Sequence, residues 1–390
     1  MQNLYYFYFM VNREAEKKIR LYAKQFRAIA IVGPRQSGKT TIAKKVFPRK
    51  PYVSLEDPDE REMAIEDPRY FLSRFKNGAV IDEAQRVPQL FSYLQSIIDK
   101  AGKDGMFVLT GSNNFLLQQS ISQSLAGRIG YIDLLPLTLP EIKQIRKEFF
   151  NANEWVLNGC YPEIYDKERK PSIWYPAYIR TYVERDVRMI KNIDNSALFT
   201  KFLKICAGRT GQLLNLTAIS IECGIELKTV QSWLAILESS YIVFLLKPHH
   251  NNFNKRLVKT HKLYFYDTGL VSSLLGIKTI SELELSHFRG SLFENAVVAE
   301  LYKKESVKIN TGQLYFWRDN KGMEIDVLID TGKKILPVEI KAANTFSRDY
   351  LKNIYYWNGL SGNKEGALIY SGDKSYKLSD NIKVIGWVDL

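Results

Sequence analysis

The segment at residues 33–40, which reads GPRQSGKT, constrains the fold of this chain more than any other feature. It lies between an apolar run, residues 29–32, and a helix-compatible stretch, residues 41–46. A strand, a glycine-rich loop and a helix in this order form a P-loop, where main-chain amides and the helix N-terminus bind phosphate. The predicted ATP-binding residues are Gly33, Pro34, Arg35, Gln36, Ser37, Gly38, Lys39, Thr40 and Thr41. We expect Lys39 to contact the β- and γ-phosphates and Thr40 to bind Mg²⁺.

A second buried-strand pattern ends in two acids, Asp82 and Glu83. Magnesium sites in proteins use few carboxylates and several waters. We predict that Asp82 holds the water shell of the magnesium ion and that Glu83 is the catalytic base, polarising the water that attacks the γ-phosphate. The alternative for this pair is a helix N-terminus, which also favours acidic side chains.

Two further segments supply candidates for the same site. A third strand pattern, residues 106–109, runs into a polar turn, where Ser112 or Asn113 is predicted to contact the γ-phosphate or the attacking water. Arg128 is a candidate arginine finger, acting within the chain or on a neighbouring subunit. The alternatives are a strand-ending turn for the first segment and a surface salt bridge for Arg128.

Strand and helix patterns alternate up to about residue 145. Such alternation predicts an α/β domain in which helices cover both faces of a parallel sheet. Ligands in this architecture bind at the carboxyl ends of the strands. We therefore expect all the candidate residues above to lie at that edge of the sheet.

The order of these segments resembles the AAA+-like P-loop ATPases of bacteria and archaea that carry a C-terminal domain of unknown function. The residues that carry this resemblance fall in seven segments: 33–40, 80–85, 109–113, 125–128, 158–163, 182–186 and 264–270. The resemblance extends over nearly the whole chain. It implies an ATPase, but it does not specify the biological process in which ATP hydrolysis would be used.

The chain has 390 residues, which suggests two or three domains. Its net charge of +13 favours an anionic partner, with nucleic acid, DNA in particular, preferred over an anionic membrane surface. Solubility alone is the alternative explanation of this charge. Three cysteines lack metal or disulfide spacing, so we expect a reducing, cytoplasmic compartment. No segment approaches the ~20 apolar residues that span a bilayer.

The pattern divides the chain into four predicted parts. These are a P-loop ATPase domain (1–145), a helical lid or connector (146–200), a winged-helix-like domain (201–280) and a C-terminal α/β domain (281–390). In the third part, two helix patterns flank a turn at Gly224, and the second helix is expected to present Lys228, Gln231 and Ser232 to a DNA major groove. Residues 247–262, rich in Lys, Arg and His, are predicted to follow a phosphate backbone. A protein-binding module is the alternative.

The last hundred residues contain a second candidate site. Glu339 and Lys341 are two positions apart on one strand pattern, so their side chains share a face, and Asp326 lies on the preceding strand pattern. Two carboxylates can hold a divalent metal, and a lysine can orient water or stabilise a phosphate. A cross-strand salt bridge is the alternative.

This constellation resembles the PD-(D/E)xK nuclease-like fold, with Glu294 matching an additional helix acid of that fold. Ile325 stands where the pattern often has proline. Three functions remain open at this point: an ATPase coupled to nucleic acid or another partner, an ATP-gated metal-dependent nuclease, and a slow nucleotide switch that binds a protein. ATP and Mg²⁺ are the expected cofactors of the first, and the second adds another divalent metal. An oligomer is compatible with all three.

Overall fold

The computed structural model describes residues 11–111, 124–146, 150–187, 195–249, 258–309 and 312–390. The first sheet contains β1 (Ala28–Val32), β2 (Tyr52–Ser54), β3 (Val80–Asp82), β4 (Phe107–Gly111) and β5 (Ile129–Asp133). Its helices are α1 (Ala15–Tyr22), α2 (Lys39–Val46), α3 (Pro58–Glu66), α4 (Pro68–Ser73), α5 (Leu90–Ala101) and α6 (Leu139–Ile145).

All pairings in this sheet are parallel, and the strand order is β2-β3-β4-β1-β5. Side chains alternate along the buried strand β1. Ile29 and Ile31 pack on one face with α1 and α2, whereas Ala28, Ala30 and Val32 belong to the core on the opposite face. The predicted parallel α/β domain is therefore present, with apolar layers on both faces.

The helix starts in this domain follow from local capping. Asp57 and Asp67 accept hydrogen bonds from backbone amides at the starts of α3 and α4, and a proline follows each of them. Glu141 Oε2 accepts a hydrogen bond from the Thr138 backbone amide at the start of α6. Four elements of this domain were not predicted from the sequence: α1, α3, α6 and β5.

The middle of the chain is mainly helical. It contains α7 (Ala152–Asn158), α8 (Pro162–Asp166), α9 (Pro171–Tyr178), a π-helix (Ile179–Val187), α10 (Ser196–Gly208), α11 (Leu216–Cys223) and α12 (Leu227–Ser239). An antiparallel pair, β6 (Val243–Pro248) and β7 (Lys262–Phe265), follows. Gly224 adopts the left-handed conformation between α11 and α12, as the predicted turn requires.

The C-terminal region begins with α13 (Thr268–Leu274), α14 (Ile280–Leu285) and α15 (Arg289–Val307). It continues with β8 (Gln313–Arg318), β9 (Glu324–Asp330), β10 (Ile335–Lys341), α16 (Lys352–Ser361), β11 (Gly366–Tyr370), β12 (Tyr376–Lys377) and β13 (Ile382–Gly386). Strands β8, β9 and β10 are antiparallel neighbours, and β11 pairs with β10 in parallel.

The middle and C-terminal regions share one eight-stranded sheet, in the order β12-β13-β11-β10-β9-β8-β6-β7. The junction is a parallel pairing of β6 with β8, in which Lys247 lies opposite Tyr315 and Pro248 opposite Phe316. The β6–β7 hairpin is thus hydrogen-bonded to the sheet that carries the C-terminal candidate residues.

Cys160, Cys206 and Cys223 are free and buried. Across the ranges that the structure describes, none of the helices combines the length and the apolar character needed to cross a membrane.

Candidate active site

The loop after β1 has the backbone geometry for which its glycines were predicted. Gly33 has a φ of 153°, and a Cβ built on it would lie 2.2 Å from the Leu134 carbonyl oxygen. Gly38 has a φ of 92° and immediately precedes α2. Because side chains are disfavoured at both positions, glycine allows the loop to close tightly beside β5. Gln36 also has a positive φ, 64°, at the exposed tip.

Lys39 is buried beneath this loop. Its Nζ donates to the carbonyl oxygens of Gly33 at 3.0 Å and Pro34 at 2.7 Å. Burial lowers the pKa of Lys39 to about 8, against the opposing influence of the Glu83 and Asp82 charges. The ammonium therefore lies in a poorly solvated position where a polyphosphate would stabilise its charge.

Asp82, at the end of β3, accepts hydrogen bonds from three hydroxyl groups. Thr40 Oγ1 and Tyr52 Oη each lie 2.8 Å from Asp82 Oδ2, and Thr110 Oγ1 donates to Oδ1. The structure thus brings together the two predicted magnesium residues, Thr40 and Asp82. Tyr52 was missed by sequence reasoning because no motif contains it.

The residues around Asp82 fit the requirements of magnesium. The donor set is one carboxylate and one hydroxyl, which leaves the remaining positions to water and phosphate oxygens, as Mg²⁺ prefers. Ser37 Oγ, in the same loop, is fully buried and has no hydrogen-bond partner among the residues that the structure describes. A buried hydroxyl without a partner is costly, so a ligand in the loop would stabilise it.

Glu83 directly follows Asp82 in a left-handed conformation, with φ 54° and ψ 41°. Such angles are unusual for a side-chain-bearing residue and occur frequently at functional sites. Gln85 Nε2 donates to Glu83 Oε2 at 2.5 Å. This amide restrains the carboxylate that was predicted to be the catalytic base.

Two residues outside the P-loop support its backbone. Arg13 donates to the carbonyl oxygens of Ser37 at 2.8 Å and Leu135 at 2.7 Å, and its Nε lies 3.0 Å from Glu141 Oε2. Tyr178 Oη donates to the Arg35 carbonyl oxygen at 3.3 Å. These contacts come from segments that are distant in sequence, so no local sequence pattern predicts them.

The Arg35 side chain lies at the edge of the loop, with its Nη2 3.7 Å from Glu56 Oε1. On the other side of the loop, a cavity of about 100 Å³ opens beside Gly38 and Thr41. Its apolar walls include Leu137, Ile145 and Pro162. No sequence pattern predicts this cavity, because its walls come from α6, from α8 and from the segment before α6.

Ser112 and Asn113 lie outside the described residues, so their predicted role stays a prediction. Arg128 is described, and it precedes β5 at the end of the sheet opposite the P-loop. Its Nε lies 2.7 Å from Asp99 Oδ1. The expectation that it lies at the carboxyl edge with the other candidates was wrong. Action on a neighbouring subunit stays a prediction.

The C-terminal candidates also meet. Lys341 Nζ lies 2.7 Å from Glu339 Oε2 and 3.7 Å from Asp326 Oδ2, while the Ile340 amide donates to Asp326 at 2.8 Å. Burial and the Asp326 charge raise the pKa of Glu339 to about 8. Burial alone would lower the pKa of Lys341, but the Asp326 and Glu339 charges outweigh it and raise that pKa.

Glu294 lies beside this group but pairs with a different lysine. Lys262 Nζ is 3.2 Å from Glu294 Oε1 and 2.5 Å from Glu324 Oε1. Burial raises the pKa of Glu294, and the Lys262 charge opposes the shift. Within the described ranges, no three His, Cys, Asp or Glu side chains are grouped so as to hold a metal ion. The prediction of a second metal therefore has no support in this geometry.

The helix pair α11–α12 leaves the predicted groove-facing positions accessible. Lys228 and Gln231 are exposed, and Ser232 is half-buried. In the basic segment that follows, Lys247 and Lys259 are exposed, residues 250–257 lie outside the described part of the chain, and Lys262 is buried. Lys262 is therefore not part of a solvent-facing phosphate contact, contrary to the expectation for that segment.

Comparison with known protein families divides the chain into three matches. Residues 25–143 match a family described as an AAA domain (AAA_14). Residues 150–281 and 289–390 match two families, each described as a domain of unknown function (DUF8612 and DUF4143). The match over residues 25–143, with the P-loop geometry, supports an AAA-type P-loop ATPase domain.

Individual relatives leave the task open. The uncharacterized protein Rv2008c of Mycobacterium tuberculosis is 27% identical over 380 residues, covering 96% of this chain and 83% of the relative. An uncharacterized protein of Haemophilus influenzae is 24% identical over 321 residues, covering 78% and 76%. The solved Walker-type ATPase PABY2304 of Pyrococcus abyssi has a TM-score of 0.46 at 16% identity, covering 69% of this chain and 96% of its own. This TM-score is too low to support a conclusion about the present chain.

Proposed function

We propose that this chain is a Mg²⁺-dependent ATPase whose nucleotide state controls how its remaining regions engage a partner, with nucleic acid as the favoured partner. The observation that carries the proposal is the meeting of three side chains at one strand edge. Lys39 lies buried against the loop carbonyls, and Thr40 donates to Asp82 at 2.8 Å. The match of residues 25–143 to an AAA domain supports the same function.

In this proposal the loop amides and Lys39 bind the triphosphate. Lys39 Nζ exchanges the carbonyl oxygens of Gly33 and Pro34 for phosphate oxygens, which supply the counter-charge that its buried position lacks. Thr40 and Asp82 hold Mg²⁺, which, when bound, offsets the negative charge of the phosphates. Tyr52 and Thr110 fix the Asp82 carboxylate by hydrogen bonds.

Glu83 then accepts the proton of the water that attacks the γ-phosphorus, while Gln85 restrains its carboxylate. Catalysis of this kind depends on positioning and charge stabilisation more than on covalent chemistry. Arg13 contributes indirectly, because its hydrogen bond to the Ser37 carbonyl keeps the loop backbone in place.

The apolar cavity beside Gly38 and Thr41 is the proposed site of the nucleotide base. Leu137, Ile145 and Pro162 offer an apolar surface to the ring, and the Asp166 carboxylate at the rim can accept a hydrogen bond from an exocyclic amine. Adenine and guanine both present such an amine, and ATP is the proposed substrate because residues 25–143 match an AAA domain.

ATP turnover by the full chain tests this function. Replacement of Lys39 by alanine should reduce turnover by at least ~100-fold, because the principal cation at the phosphates is lost. Glu83→Gln should retain ATP binding and lose turnover. Lys100→Ala, an equal charge change at an exposed position of α5, serves as the control. Full turnover in the Lys39 variant would exclude the proposed site, and full turnover in the Glu83 variant would exclude the proposed base.

The proposed nucleic-acid contact uses the helix α12, where Lys228 and Gln231 are exposed after the turn at Gly224. The net charge of +13 supports an anionic partner. Duplex and single-stranded DNA should bind with an affinity that falls steeply as salt rises, because phosphate contacts release counterions.

Fluorescence anisotropy at two or more salt concentrations tests this contact. Lys228→Ala should weaken duplex binding and reduce the salt dependence by about one counterion, whereas Lys100→Ala should do neither. ATP binding without turnover, together with a protein partner whose affinity does not depend on salt concentration, would instead favour the nucleotide-switch scaffold.

In this proposal Arg128 acts only as an arginine finger that contacts the nucleotide of a neighbouring subunit in an oligomer.

A second candidate function is cleavage of nucleic acid by the C-terminal region. It is favoured by the element order α15-β8-β9-β10-α16-β11, which is the order of the nuclease-like fold that the sequence resembles, and by the position of Lys341 beside Asp326 and Glu339. The absence of a metal-binding group among the described residues argues against it. Nicks in plasmid DNA that appear with Mg²⁺ or Mn²⁺ and disappear in Asp326→Asn would establish cleavage.

A further inference from the structure

Lys262 enters the C-terminal candidate site from another part of the chain. It begins β7, in the hairpin whose other strand, β6, pairs with β8. Its side chain is only 2% exposed, although it belongs to a segment in which the neighbouring described lysines face solvent. A lysine is rarely buried to this degree unless acids surround it.

The Lys262 ammonium lies between two carboxylates from different elements. Its Nζ is 3.2 Å from Glu294 Oε1 on α15 and 2.5 Å from Glu324 Oε1 on β9. Tyr264 Oη, on the same strand as Lys262, donates to Glu294 at 2.6 Å. Lys262 Nζ therefore occupies the position in which a metal cation bound by both Glu294 and Glu324 would lie.

The neighbouring acids also lie beside an ammonium group. Lys341 lies beside Glu339 and Asp326, so each of the four acidic side chains in this cluster has a lysine partner supplied by the chain. Removing one member of such a buried pair leaves an uncompensated charge, which is strongly unfavourable. A divalent cation could enter only by displacing a tethered ammonium that is always present at high effective concentration.

We propose that Lys262 is an intramolecular plug: its ammonium occupies the cation position between Glu294 and Glu324, so the folded C-terminal region binds no divalent ion while the β6–β7 hairpin stays in place. This proposal does not rest on ATP turnover. It makes the hairpin, which belongs to the middle region, the element that controls access to the acids. Any metal-dependent chemistry at these acids would require that the hairpin be displaced first.

Titration of the full chain with Mn²⁺, followed by electron paramagnetic resonance of the free ion, tests the proposal. The wild-type chain and Glu294→Gln should bind the same number of Mn²⁺ ions. Lys262→Met keeps the approximate length of the side chain and removes its charge. This variant should gain one Mn²⁺ site at Glu294 and Glu324, with an affinity at least about ten-fold above any residual binding by the wild-type chain at that position. Lys334→Met is the matched control, because Lys334 forms a surface ion pair with Glu365.

The added site should disappear in Lys262→Met combined with Glu294→Gln. A wild-type Mn²⁺ site that is lost in Glu294→Gln would overturn the proposal, and this comparison does not depend on whether the Lys262 variant folds. A Lys262→Met protein with wild-type circular dichroism and no added site would overturn it as well. Because Mn²⁺ binding is measured without ATP, failure here is separable from failure of the proposed ATPase function.

Discussion

Two acidic sites in this molecule are built on strands, and they differ in the groups that surround the carboxylates. Asp82 in the first sheet accepts hydrogen bonds from hydroxyl groups of Thr40, Tyr52 and Thr110. The C-terminal acids are instead paired with ammonium groups, Lys262 and Lys341. Hydroxyls orient a carboxylate and leave its charge for a metal, whereas ammonium groups neutralise it. The difference supports the proposal that the first site, and not the second, binds Mg²⁺.

The largest expected effect is a loss of ATP turnover that occurs when the acid of the first site is replaced and does not occur when an acid of the second site is replaced. Asp82→Asn should lower ATP turnover by at least ~100-fold, because the magnesium-holding charge is lost. Asp326→Asn makes the same chemical change in the C-terminal cluster and should leave basal turnover unchanged. Steady-state phosphate release measures both. Equal losses in the two variants would show that both sites are needed for ATP turnover.

The role of the hydroxyl groups in orienting the Asp82 carboxylate can be tested by removing one of them. Tyr52→Phe deletes the donor at 2.8 Å and should raise the Mg²⁺ concentration needed for half-maximal turnover by about ten-fold, as expected when a partner of a metal ligand is lost. Tyr70→Phe, at an exposed tyrosine of α4, is the control. An unchanged Mg²⁺ requirement in the Tyr52 variant would show that this hydroxyl does not hold Asp82 in a metal-binding state.

The lowered pKa of Lys39 predicts a pH effect on ATP binding. Above a pH of about 8 the nucleotide-free protein loses the Lys39 proton, and phosphate binding restores it. The ATP affinity should therefore fall by up to about ten-fold per pH unit above pH 8, with uptake of one proton. Calorimetry at pH 8.5 in two buffers of different ionisation enthalpy measures the uptake. Identical heats in the two buffers would contradict the prediction.

The smallest effect is expected in the C-terminal cluster. The folded protein keeps a proton on Glu339 up to a pH of about 8, whereas the unfolded chain loses it near pH 4.5. The free energy of unfolding should therefore fall as pH rises through this window, by up to about 1.4 kcal/mol per pH unit, and Glu339→Gln should remove this contribution. Urea unfolding between pH 5 and pH 9 measures it. Glu365→Gln at the surface should not alter the slope, and an unchanged slope in Glu339→Gln would contradict the raised pKa.

Sequence reasoning located the nucleotide site because its chemistry is local. The glycines at 33 and 38, Lys39 and Thr40 lie within eight residues, and Asp82 ends a recognisable buried strand. Parallel pairing of β3 with β4 and of β4 with β1 then places these segments at one edge. Sequence order therefore predicted a parallel sheet with four of its five strands, and it predicted the meeting of Thr40 with Asp82.

The residues that the sequence did not reveal are those brought in by tertiary contacts. Arg13 and Tyr52 belong to segments without a motif, yet each contacts the site through one side chain. Arg128 was assigned to the wrong edge because β5 was not predicted, so the end of the strand on which it lies was unknown. Lys262 was grouped with solvent-facing lysines, because the pairing of β6 with β8 that buries it is not visible in local patterns.

A magnesium-bound triphosphate is proposed to bind at the loop between β1 and α2. Isothermal titration of the full chain with ATP and Mg²⁺ measures this binding. One saturable site is expected in the wild-type chain, retained in Glu83→Gln and absent in Lys39→Ala. No binding heat with folded wild-type protein, or equal binding in the Lys39 variant, would contradict it.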